Sequence, residues 1–187
     1  MCAICQKKHN LFTSLYCVGE RCGSLKRLVG DYKYHSEIAS YRPLAQLLAD
    51  KVCPANDVVI VSIPTISAHI RERGFDHMLL VARELARLTG SSVNNKLLYR
   101  TDNLSQHTLK LVDRKKLIQK SLAIKTNCPI PDKVLLVDDI WTTGSTMMTA
   151  AKLLKMAGVS KIYGAVIARQ PTGALNKKSL LLQELIK

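Results

Sequence analysis

Acidic residues are scarce in this chain, 14 Asp and Glu against 28 Lys and Arg, for a formal charge of +14. The excess implies an anionic partner such as phosphate esters, pyrophosphate or nucleic acid, or else a basic surface that serves solubility alone. Aromatic residues are few as well, at 5%, which leaves little for a nucleic-acid groove built on stacking. No stretch approaches the roughly 20 uninterrupted apolar residues that a membrane span requires. The opening MCAICQKKHN lacks the charged-then-apolar layout of a secretory signal. A soluble cytoplasmic protein is expected. What is present in quantity is apolar residue, 47% of 187 positions, enough for one globular domain with a small appendage and too much for wholesale disorder.

The six cysteines are unevenly placed. Cys2, Cys5, Cys17 and Cys22 fall in the opening segment, while Cys53 and Cys128 stand alone and read as ordinary thiols. Two close pairs can close a tetrahedral zinc site, with His9 as a substitute ligand, and clustered cysteines without an export signal suggest metal before disulfides. Free buried thiols are the alternative. The segment 1–27 therefore reads as a Cys-rich, zinc-ribbon-like knuckle, and 28–187 as the main domain.

Beyond the knuckle the periodicities alternate. Tyr32 and Tyr34 suggest a short strand or turn, and Leu44, Leu47 and Leu48 recur at helical spacing to about Lys51. DVVIVSIP is apolar on both faces, as a central parallel strand should be, and Pro64 stops it. Residues 76–88 form an amphipathic helix with Asp76 as N-cap and Gly90 as stop. VNNKLLYR suggests another strand, KVLLVDD a clear one, and a helix follows from about Ser145 to Ala157, ended by Gly158. KIYGAVIAR is a further strand, and a last helix is expected from Asn176. This order predicts an α/β fold, a mostly parallel sheet with helices on both faces.

The segment VLLVDDIWTTGST, Val134 to Thr146, carries the chemistry. In parallel sheets ligands sit at the carboxyl ends of strands, where helix N-termini present N–H groups. Gly144 lets backbone approach an anion closely. The amides of Thr143 to Thr146 can converge on a phosphate, and the hydroxyls of Thr142, Thr143, Ser145 and Thr146 add donors. No Lys follows the Gly, which excludes a nucleoside triphosphate loop. Asp138 and Asp139 would repel phosphate, and their natural partners are vicinal hydroxyls. A cradle beside two acids describes ribose 5-phosphate. The plainer reading, that Asp138 caps the turn and the threonines cap the helix, leaves two acids beside a buried strand without a use.

This run resembles the signature of type I phosphoribosyltransferases. By that resemblance Asp138 and Asp139 hold the ribose hydroxyls and stabilise positive charge on the ring, while Thr142, Thr143, Gly144, Ser145 and Thr146 hold the 5-phosphate. SIPTISAHIRERGFDH, YRTDNLSQHTLKLVDRKK and VIARQP, with the Cys-rich start, extend the likeness to the ComF family of competence-associated phosphoribosyltransferase-like proteins. That family often begins with a zinc ribbon, although the second cysteine pair here departs from its usual spacing. The resemblance makes residues 64–68, with Pro64 and Thr65, the pyrophosphate loop, and Arg71 and Arg73 its forked donors. It makes 101–120 a loop closing over phosphoribosyl pyrophosphate, and it implies Mg²⁺ held mainly by that ligand's own oxygens. Two kinds of function follow. One is phosphoribosyl transfer to a nitrogen acceptor, and the other is a non-catalytic protein of DNA uptake that binds single-stranded DNA or senses a nucleotide.

Overall fold

The structure, a computed structural model, describes residues 11–34, 37–52, 57–101, 122–125 and 127–171. Its strands are β1 (Ser14–Glu20), β2 (Val59–Ser62), β3 (Ser92–Val93), β4 (Leu98–Arg100), β5 (Leu122–Ile124), β6 (Lys133–Trp141) and β7 (Lys161–Arg169). The α-helices are α1 (Gly23–Tyr34), α2 (Tyr41–Ala49), α3 (Ser67–Arg73), α4 (His77–Thr89) and α5 (Ser145–Met156). Five strands form one sheet in the order β1-β7-β6-β2-β3, every pairing parallel. β4 and β5 pair separately as an antiparallel ribbon. No helix among the described residues is long and apolar enough to cross a membrane.

Alternation along β6 explains why both faces of the sheet are covered. Leu135 and Val137 join a cluster with Val29 and Tyr32 of α1, Leu44 and Leu48 of α2, and Val81 and Leu85 of α4. Val134 and Leu136 face the opposite way, into a second cluster with Met147, Ala150 and Leu154 of α5 and with Leu98 and Leu122 of the ribbon. Both sets are almost fully buried. Truncating one of them, Leu136→Ala for instance, should cost about 2–5 kcal/mol. At Gly164 of β7 an added Cβ would lie 2.5 Å from the Leu15 side chain. Any larger residue would force the Leu15 tip and the Phe12 ring to shift.

The amphipathic helix after residue 76 forms as read. Asp76 accepts from the N–H groups of Met78 and Leu79, and Gly90 ends the helix at φ 69°. Three expectations are corrected. Tyr32 and Tyr34 belong to α1, not to a strand, because Val29 and Tyr32 lie one turn apart on its buried side. The knuckle does not extend to residue 27, since β1 pairs with β7 from Ser14↔Tyr163 to Glu20↔Arg169 and α1 begins at Gly23. The strand carrying the acids runs past KVLLVDD, because pairing with β7 carries β6 to Trp141. Cys2, Cys5, Cys53, residues 102–120 and the expected helix from Asn176 lie outside the described residues.

Candidate functional site

β6 and β2 are neighbours in the sheet, and both end at one cleft of about 280 Å³. Asp138, Asp139, Pro64, Thr65, Arg73 and Thr146, all singled out from the sequence, line it together. Ile140 lines it too, whereas Thr142, Thr143, Gly144 and Ser145 do not themselves line it and lie in the chain between Ile140 and Thr146. Arg71 is exposed and lines nothing there. Residues two apart on a helix point to different sides, so Arg73 and not Arg71 faces the cleft. The loop after β2 is also shorter than 64–68, since α3 has begun by Ser67.

The turn has the shape an anion cradle needs. Gly144 takes φ 73° at the N-cap of α5, and a Cβ there would stand 2.2 Å from the Trp141 indole. Both the backbone angle and the packed ring demand glycine. The first-turn amides of α5 have no intrahelical acceptors. Among the described residues, only the Ser145 N–H has a local partner, the Thr143 hydroxyl at a weak 3.4 Å. Thr143 and Ser145 hydroxyls meet at 3.0 Å, so both sit on the same side of the turn.

The two carboxylates differ in surroundings. The Asp138 carboxyl Oδ1 accepts from the Asp139 N–H at 2.9 Å. Burial, with the Asp139 charge beside it, pushes its pKa up to about 8, against the smaller pull of Lys33 and Arg100. Burial acts to raise Asp139 as well. There the hydrogen bond from His77 and the Lys33 charge outweigh it and hold that carboxyl well below its usual range. Lys33 lies 2.5 Å from Asp139 Oδ2 and His77 Nε2 2.8 Å from the same oxygen.

Sequence reasoning left out of the site the polar lining residues Lys33, His69, His77 and Arg100. Arg100 donates from Nε to the Pro64 carbonyl at 2.6 Å, tying the ribbon to the loop after β2. Lys33 sits in the last turn of α1, where a cation reads as a partner of the helix dipole. His77 carried the one available signal, its place in the Arg-Gly-Phe segment.

Of the four cysteines read as zinc ligands, Cys17 and Cys22 lie among the described residues. Cys17 lies within β1, packs against the second cluster, and donates its thiol to the Gly19 carbonyl. Burial pushes the Cys17 thiol pKa up, against a smaller opposing pull from its hydrogen bond to Gly19. Cys22 is exposed beyond the strand end. Among the described residues no group of three or more His, Cys, Asp or Glu could hold a metal ion.

Comparison with known proteins agrees with this geometry. Residues 35–183 match the phosphoribosyl transferase domain family. Competence protein F of Haemophilus influenzae is 28% identical over 178 residues, 90% of this chain and 78% of that one. DNA utilization protein YhgH of Salmonella typhi is 30% identical over 172 residues, 86% of this chain and 74% of that one. Competence protein ComFC of Streptococcus pneumoniae is 26% identical, covering 74% of this chain and 60% of its own length. Among solved structures, glutamine phosphoribosylpyrophosphate amidotransferase from B. subtilis, complexed with ADP and GMP, superposes with a TM-score of 0.53 at 18% identity. The match covers 74% of this chain but only 30% of that one, so the likeness is one of fold.

Proposed function

Since the chain belongs to the phosphoribosyl transferase domain family, and within it to the ComF family, we propose that its cleft grips phosphoribosyl pyrophosphate by the ribose 5-phosphate half. The observation that carries this reading is the convergence of Asp138, Asp139 and the first turn of α5 on one cleft at the end of β6. The amides and hydroxyls from Thr142 to Thr146 receive the 5-phosphate. The acids receive the ribose hydroxyls. Thr65, Arg73 and Arg100 face the pyrophosphate side, where guanidinium groups match phosphate oxygens.

Such a cleft favours chemistry at carbon 1 of the sugar. As pyrophosphate departs, positive charge grows on the ring, and the ionised Asp139 is the fixed countercharge nearest to it. Arg73 and Arg100 balance the charge on the leaving group. By the family likeness, the ligand's own pyrophosphate oxygens would hold Mg²⁺, which would supply further neutralisation of their charge. A nitrogen nucleophile then completes transfer. By kinship with competence and DNA utilization proteins, the setting is the handling of DNA that has been taken up.

Calorimetry with phosphoribosyl pyrophosphate and Mg²⁺ tests the grip. The Asp138→Asn/Asp139→Asn double variant should lose at least about tenfold in affinity, the scale of one charge-assisted hydrogen bond. Unchanged affinity ends the reading. Screening bases and amines for pyrophosphate release tests the transfer itself.

A second reading, binding of single-stranded DNA, is favoured by a separate open hollow of about 510 Å³ beside the β4–β5 ribbon. Tyr99, 46% exposed, stands there with Lys96 and Lys125. A base stacked on Tyr99 with phosphates on the lysines predicts log affinity falling linearly with log salt. No binding at low salt removes it.

A further inference from the structure

We propose that His77 is a positioning residue that turns the Asp139 carboxylate toward the sugar, an inference that rests on the ribose-phosphate reading. His77 is 5% exposed and opens α4, with both ring nitrogens engaged. Nε2 lies 2.8 Å from Asp139 Oδ2. Nδ1 lies 3.2 Å from an Arg73 guanidinium nitrogen and 3.3 Å from the Thr65 hydroxyl.

These contacts select one tautomer. A guanidinium has donors and no acceptor, so Nδ1 must accept from Arg73. The Thr65 hydroxyl has a single proton and spends it on Asp76 Oδ1 at 2.8 Å. Nε2 therefore carries the ring proton and donates it to Asp139. The ring is also fixed from α1. The Tyr32 hydroxyl donates to the His77 carbonyl at 2.6 Å, and the Tyr32 ring meets the imidazole edge-on at 6.0 Å. The next residue, Lys33, is the other donor to Asp139.

Both donors converge on the same oxygen. Oδ2 is occupied by His77 and Lys33, and among the described residues no group contacts Oδ1. A carboxylate so held cannot swing, and it offers one oxygen to a ribose hydroxyl. Pre-orientation of this kind lowers the ordering cost of binding.

The test uses the full chain. A long-range ¹H–¹⁵N spectrum at neutral pH should show His77 protonated at Nε2 and bare at Nδ1; any other tautomer, or the cation, overturns the assignment. Calorimetry with ribose 5-phosphate then compares three variants, with Tm recorded for each. His77→Gln places an amide N–H near Nε2 and should bind within about threefold of wild type. His77→Ala and His77→Asn, which cannot reach Asp139, should lose about tenfold, the scale of a hydrogen bond to a charged group. Equal affinity for the Gln and Ala variants, at comparable Tm, overturns the proposal. If ribose 5-phosphate fails to bind wild type, or binds the double Asn variant equally well, the ribose reading falls, and the spectrum still decides the tautomer.

Discussion

Asp138 and Asp139 share a peptide bond, yet burial pushes the pKa of the first up to about 8 while the His77 hydrogen bond and the Lys33 charge hold the second well below its usual range. Strand alternation produces the difference. Adjacent side chains leave β6 on opposite faces, so only Asp139 meets Lys33 and His77 from the helical side. A pair of acids too close to be ionised together is thus divided by its neighbours into a proton holder and a fixed anion.

Neutralising the two acids should therefore change stability in opposite directions. Asp139→Asn leaves the Lys33 cation facing a neutral amide and should cost about 2–4 kcal/mol in denaturant unfolding. Asp138→Asn removes a carboxyl that the fold disfavours when ionised and should stabilise by on the order of 1–2 kcal/mol at pH 8. Equal losses in both variants would contradict the division.

The pH dependence follows with a definite sign. The folded Asp138 keeps its proton up to about pH 8, whereas an unfolded Asp loses it near the ordinary value of 3.8. The folded state binds more protons in that window, so this group's contribution falls as pH rises and levels off above 8. Asp139 works the other way, and its contribution is lost as pH falls below the ordinary carboxyl value. The stability gap between Asp138→Asn and wild type should widen steadily from pH 5 to pH 8 in equilibrium unfolding.

Gly144→Ala should abolish phosphate binding at the turn. The substitution places a methyl group 2.2 Å from the Trp141 ring and adds about 1–2 kcal/mol for left-handed backbone. Pairing it with Trp141→Ala relieves the clash but not the backbone cost, so ribose 5-phosphate titration should show partial recovery. Full recovery would mean that the indole alone requires glycine.

Arg73 and Arg71 separate by a simple binding assay. Arg73→Met removes a guanidinium from the cleft and should weaken pyrophosphate binding by about tenfold or more. Arg71→Met changes an exposed residue and should leave binding within about twofold. Comparable losses would return Arg71 to the site.

Cys17 answers to metal analysis. As a thiol packed within β1, it should tolerate Cys17→Ala at a cost of about 1 kcal/mol, with no change in zinc bound per chain. Loss of zinc on this substitution would restore the paired-cysteine reading.

Local patterns made the parallel sheet, the capped α4 and the turn at Gly144 legible, because each is written in neighbouring residues. The errors have equally physical sources. The apolar run and its two acids place the strand end at Asp139, yet pairs such as Ile140↔Ala168 carry β6 two residues further. The segment read as a knuckle contains SLYCVGE, a strand held by a partner far along the chain. His77 and Asp139 lie 62 residues apart, and nothing local to either announces their contact. Lys33 was hidden for the same reason.

The bare Cα of Gly164 also bears on how the chain folds. β1 comes first in the chain but finds its berth only on β7, with Glu20 and Arg169 separated by 149 residues. An opening strand that waits for the last one makes closure of the sheet a late, long-range event, of the kind that slows folding. During synthesis, Ser14–Glu20 stays an unmatched edge until β7 emerges, and a side chain at residue 164 would prolong that exposure.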